Sequence, residues 1–207
     1  MPRSSTRPVS RLLAPLLGVA LCLATGGCGT APPVTLDDRV DRMITAEREI
    51  DTETARRYHQ LANDALDARR WDDAAQYLRH ALSADPTFGP ARNNLGRVYF
   101  AQGRMYDAAW EFEYAARLMP HAVEPKNNLG LVMEHVHRYD EAIEQYASAA
   151  AIQRDNPEIL GNLTRARIKS GDAGEEIRTL LQELLFKDTR PVWLKWAADR
   201  LSGFAGR

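Results

Sequence analysis

Cysteine is almost missing from this chain: Cys22 and Cys28 are the only two among 207 residues. Nothing beyond position 28 can therefore form a disulfide or a metal–thiolate centre. Charge of one sign is missing too. The 27 basic residues are met by 28 acidic ones, and no segment is strongly basic. That balance argues against a nucleic-acid partner, whose phosphates call for a clustered cationic footprint. The longest apolar run, Leu12–Ala24, has thirteen residues, short of the roughly 20 that a bilayer-spanning helix needs. No nucleophile motif, phosphate-binding loop or cofactor fingerprint occurs. His59, His80 and His121 stand alone in the sequence, and His135 and His137 are two apart. On a helix that spacing sends the rings in different directions, whereas metal ligands favour three or four. These absences leave no cofactor, no metal and no catalytic centre to propose.

What is present is a period. Asn93-Asn94-Leu95-Gly96 returns as Asn127-Asn128-Leu129-Gly130 and, more weakly, as Gly161-Asn162-Leu163-Thr164, each time 34 residues on. Ala74, Ala108 and Ala142 keep step with it. So do Leu78, Phe112 and Tyr146; Ala81, Ala115 and Ala149; and Pro86 with Pro120. A fixed period of this length, with small and large apolar residues at fixed offsets, signals a stacked helix-turn-helix array. Strand signals are absent, and apolar residues recur three and four apart, so the body is all-α.

The pattern resembles the tetratricopeptide repeat family. That likeness implies a right-handed superhelical solenoid of three good repeats, a degenerate fourth and a capping helix. The repeats fall at 55–88, 89–122, 123–156 and 157–190, between an N-terminal helix (36–54) and the cap (191–207). Small residues let the paired helices approach, large ones fill the space between them, and proline stops the second helix. Arg92 and Lys126 stand where the family prefers a large apolar residue. Glu176 and Glu183 occupy expected alanine positions of the fourth unit. Trp193 and Trp196 are expected to cap the stack, since terminal units are commonly atypical.

The first helices of such pairs line a concave groove. Carried over onto this chain, the groove holds Asn63, Asn94, Arg97, Asn128, Asn162 and Arg165, together with Arg56, His59, Gln60, Asp67, Asn93, Phe100, Glu124, Asn127, Leu131, Glu134, His135, Gly161 and Lys169. The resemblance implies a protein or peptide ligand there. A side-chain amide donates and accepts, so the row Asn94, Asn128, Asn162 could pair with an extended backbone. The same amides could instead bond a neighbouring helix. One subtype of the family grips a terminal carboxylate with three cations and two asparagines. Here Asn63 and Asn94 fit, but His59, Glu124 and Asn128 replace the cations.

The leading segment resembles a bacterial lipoprotein signal. Arg3, Arg7 and Arg11 precede the apolar run, and Ala24-Thr25-Gly26-Gly27 precedes Cys28. In that family the cut falls before the cysteine, which then carries diacylglycerol and an N-acyl chain. Residues 1–27 are thus expected to be a signal peptide, Cys28 the lipidated residue, and 28–35 a tether with Pro32 and Pro33. Loss of the three arginines leaves 24 basic residues against 28 acidic. Gly29 leans toward the outer membrane, facing the periplasm. The expected function is a non-enzymatic, lipid-anchored scaffold of the bacterial envelope. Its layout resembles factors that assist pilus and secretin assembly, and adaptors that recruit cell-wall hydrolases. The alternative is an accessory subunit or cryptic enzyme working through the last 50 residues. The sequence leaves the oligomeric state open.

Overall fold

The computed structural model describes residues 50–204. The signal peptide, Cys28, the tether and residues 36–49 of the expected N-terminal helix lie outside them; residues 52–54, expected at the end of that helix, open α1 instead. Nine helices make up the described chain: α1 (Thr52–Asp67), α2 (Trp71–Ala84), α3 (Gly89–Ala101), α4 (Met105–Leu118), α5 (Glu124–His135), α6 (Tyr139–Ile152), α7 (Pro157–Ser170), α8 (Glu175–Lys187) and α9 (Pro191–Ser202). Each packs on its sequence neighbour, and α1, α3, α5 and α7 also touch one another in turn. The described residues contain no strand. The architecture is the all-α helix-pair solenoid that the 34-residue period predicts.

The helices start and stop where local chemistry dictates. Asp51 accepts a hydrogen bond from the Thr54 backbone N–H, and Asn156 accepts from Glu158 and Ile159, which caps α1 and α7. Pro90, Pro125, Pro157 and Pro191 sit in first turns, where a missing N–H costs nothing. Between the helices of each pair the backbone turns left-handed at one repeat position: Arg69 (φ 55°), Gly103 (76°), His137 (62°) and Gly171 (101°). The residue after each donates back five positions, from Arg70 to Ala65, Arg104 to Tyr99, Arg138 to Met133 and Asp172 to Arg167, at 2.8–3.0 Å. This is the Schellman closure of a helix end. Arg70, Arg104 and Arg138 then pair with Asp73, Asp107 and Glu141 in the first turn of the following helix.

Packing follows the same arithmetic. Leu78, Phe112 and Tyr146 are fully buried between helices. A methyl group on Gly96 would stand 2.7 Å from the Phe112 ring, and one on Gly130 would stand 2.6 Å from Tyr146. Rings therefore require glycine opposite them, while the smaller Leu78 shares its cluster with Ala62 at the equivalent position. Arg92 and Lys126, which break the apolar preference, serve a different purpose. Their cationic ends donate to the carbonyls of Pro86 (3.1 Å) and Pro120 (2.9 Å), closing the end of the preceding repeat. Arg92 also meets Glu111 and lies over the Tyr114 ring.

The fourth unit is out of phase. Its left-handed turn is on schedule at Gly171, but α8 starts at Glu175, later than Trp71, Met105 and Tyr139 start α2, α4 and α6. The buried positions consequently move one residue along, to Ile177, Leu181 and Leu184. Glu176 is left exposed and pairs with Arg167. The glutamates at expected alanine positions thus never enter the core. α9 closes the stack: Trp193 lies on Gly161, where an added Cβ would come within 3.0 Å of the indole. Arg165 and Arg190 flank that ring at 5.1 and 5.2 Å.

Candidate functional site

The first helices of the pairs, α1, α3, α5 and α7, carry a chain of side-chain hydrogen bonds along one face. Asn94 Nδ2 donates to Asn63 Oδ1 (2.8 Å) and lies 2.9 Å from His59 Nε2. Asn128 Nδ2 donates to Asn93 Oδ1 (3.0 Å), and Asn162 Nδ2 donates to Asn127 Oδ1 (2.9 Å). The links from Asn94 to His59, Asn128 to Asn93 and Asn162 to Asn127 each span 35 positions, and Asn94 to Asn63 spans 31, so the first repeat boundary is crossed twice and the next two once each. His59 is the first member of that series. Burial lowers its pKa from the usual histidine value, which favours the neutral ring beside Asn94.

The far sides of the amides differ, because the residue three positions on differs. Arg97 donates to Asn94 Oδ1 (3.2 Å) and Arg165 donates to Asn162 Oδ1 (3.0 Å). The equivalent of those arginines beside Asn128 is Leu131, which has nothing to donate. Asn94 and Asn162 are accordingly closed, at 7% and 3% exposure. Asn128 is half-buried, and its carbonyl oxygen has no donor among the described residues.

Charge in the groove is just as unevenly committed. Glu134, 6% exposed at the end of α5, accepts from Arg165 Nε and Nη2 (2.7 Å each), Lys169 Nζ (3.0 Å) and Tyr146 Oη (3.0 Å). Burial opposes its ionisation, but the bonds from Arg165 and Lys169 outweigh it and bring the carboxyl pKa down to about 2. Burial first, and then the Glu134 charge, push the Tyr146 phenol up. Arg165 and Lys169 are thereby spoken for. Arg97 is exposed, and its one side-chain partner among the described residues is the neutral Asn94.

Between α3 and α5 the groove deepens into a cavity of about 270 Å³, lined by Trp71, Arg97, Phe100, Ala101, Phe112, Asn128 and Leu131. Its floor is apolar, and its two polar groups are the uncommitted Arg97 and the open Asn128. His135 meets Phe100 edge-on at 5.8 Å beside it. Of the residues expected in the groove, Arg97, Phe100, Asn128 and Leu131 come together here. Asn63, Asn94, Asn162 and Arg165 lie along the same row in bonds to one another and to Glu134. Trp71 packs against the first core cluster and is also a wall of this cavity. Among the described residues no cluster of His, Cys, Asp and Glu could hold a metal ion, and no helix is long and apolar enough to cross a membrane.

Comparison with known proteins agrees with this architecture. Residues 59–122 match the tetratricopeptide repeat family model. A curated relative, anaphase-promoting complex subunit 6 of Arabidopsis thaliana, is 26% identical over 110 residues, 53% of this chain. The chain spans only 20% of that relative's length. Among solved structures, pilF of Pseudomonas aeruginosa superposes with a TM-score of 0.67 at 21% identity, covering 74% of this chain and 70% of pilF. The first tetratricopeptide domain of Spaghetti (RPAP3), bound to the HSP90 peptide SRMEEVD, superposes at 0.58 with 17% identity, covering 60% of this chain and 98% of that domain. At these identities the solved structures speak for the fold, which is a tetratricopeptide-type solenoid.

Proposed function

We propose that this tetratricopeptide-type solenoid is a non-catalytic scaffold of the bacterial envelope, anchored by lipid on Cys28, that holds a segment of another protein in its groove. The observation that carries the groove reading is the cavity between α3 and α5. It is the place on that face where a charged side chain and an amide oxygen are left uncommitted beside apolar walls. Repeat solenoids supply a surface for binding, and this one is similar in fold to a domain solved with a peptide bound. Its fold likeness to pilF is compatible with a part in pilus assembly. The anchor rests on the basic start, the apolar run and the small residues before Cys28. A lipid anchor raises the effective concentration of the groove against other envelope components.

Two measurements test this reading. Cells fed a radiolabelled fatty acid should label the native protein and leave Cys28→Ala unlabelled; equal labelling of both removes the anchor. A photo-crosslinking amino acid at position 135, exposed beside the cavity, should give a discrete adduct with an envelope protein, and the same group at Glu113, outside the groove, should not. Adducts from Glu113 alone would move the binding surface away from the groove.

A further inference from the structure

We infer that the cavity between α3 and α5 selects an acidic peptide segment in which an apolar side chain stands next to a carboxylate. This deepens the groove reading and rests on it. The apolar part follows from the walls: Trp71, Phe100, Phe112 and Leu131 offer rings and a branched alkyl group. A dry cavity of roughly 150 Å³ takes up a benzene, so about 270 Å³ receives one aromatic or large aliphatic side chain with part of its backbone.

The acidic part follows from charge. Arg165 and Lys169 share the single charge of Glu134, which leaves that cluster with one net positive charge, Arg92 is paired with Glu111, and Arg56 faces Glu53. Arg97, on the rim of the cavity, has no ion pair among the described residues and bonds only a neutral amide. A ligand carboxylate there makes a charge-assisted bond beside a low-dielectric wall, where such bonds are strong.

The third group sets direction. With Leu131 at the position that Arg97 and Arg165 hold in the flanking repeats, the Asn128 carbonyl oxygen stays open, and Asn128 lines the same cavity. It accepts a backbone N–H from the ligand while Arg97 holds the carboxylate. Two anchors of opposite hydrogen-bonding sense, on neighbouring helices, orient the bound segment across α3 and α5. The substitution of leucine for arginine at one repeat thus does two things at once: it supplies a wall and it frees an acceptor.

The test is selection from a phage-displayed random dodecapeptide library on the full-length protein in detergent. Native protein should enrich peptides carrying Phe, Tyr, Trp or Leu within two positions of Asp or Glu. Arg97→Glu should move the enriched charge to Lys or Arg beside the same apolar residue. Because Arg97 is exposed, the swap leaves the fold intact, which circular dichroism checks. Leu131→Asp should abolish enrichment of the apolar residue. Affinity for a selected peptide should fall about tenfold in Arg97→Gln, as loss of one charge-assisted bond implies. No enrichment, no acidic bias, or a bias that survives Arg97→Glu overturns the inference. The cross-link from position 135 reports separately on the groove itself, because it leaves Arg97 in place: a persisting adduct without acidic preference removes the subsite alone, and loss of both removes the groove.

Discussion

Glu134 collects three donating side chains from two other helices, and one charge on it ties the third repeat to the fourth. Its folded pKa of about 2 lies below the ordinary 4.5. A depressed carboxyl contributes stability that is present above the unfolded pKa and lost as pH falls through the folded one. The native protein should therefore lose urea resistance between about pH 4.5 and pH 2 more steeply than Glu134→Gln. At neutral pH that variant should cost about 1–2 kcal/mol, below the 3–5 typical of a broken buried pair, because Arg165 and Lys169 remain partly solvated. Equal pH dependence of the two proteins would refute this. From sequence Glu134 could be assigned to the groove by its repeat position. Its role as a hub depends on partners 12, 31 and 35 residues away, and no local pattern reveals it. The same holds for the asparagines: their row was legible, but which one stays open turns on Leu131.

At the level of helices and turns, the first three repeats were readable because their constraints recur: a left-handed turn and a small residue opposite a large one in all three, and a closing proline in the first two, with Arg154 in its place in the third. The fourth was misphased because extending the family spacing through Gly171 ignores the longer connection that follows it. Once α8 begins at Glu175, Ile177, Leu181 and Leu184 take the buried places. They recur four and three residues apart, so their apolar face is legible in the sequence even though the family spacing is lost. The turns carry a second lesson. Two of the four left-handed positions are glycine, while Arg69 and His137 bear side chains at an energetic cost. Arg69 is exposed, so Arg69→Gly should stabilise the protein by about 0.5–1 kcal/mol, seen as a rise in Tm. An unchanged or lower Tm would mean that relief of backbone strain is offset by the greater freedom of glycine in the unfolded chain.

Across the whole solenoid, cohesion is passed from neighbour to neighbour, so damage at one end should stay near it. Trp193 and Trp196 pack on the cluster of Leu160, Ile177, Leu181 and Leu184. Truncation after Thr189 uncovers that cluster. Hydrogen exchange should then accelerate across α7 and α8, with α1–α4 still protected, and the protein should bind a hydrophobic dye. Uniform loss of protection would show instead that the stack melts as one unit. The cap was legible because a tryptophan-bearing helix followed the last repeat; that Gly161 makes room for Trp193 became visible only in three dimensions.

The amide ladder has a mechanical corollary. The boundary between the first two repeats is tied on its groove side by Asn94 to both His59 and Asn63, and that between the last two by Asn162 and the Glu134 cluster. Between the second and third repeats the groove side holds one amide link, Asn128 to Asn93. Tension applied along the groove face should therefore load that single amide rung, which is backed by the edge-on contact of Phe100 with His135, before the more heavily bonded joints on either side.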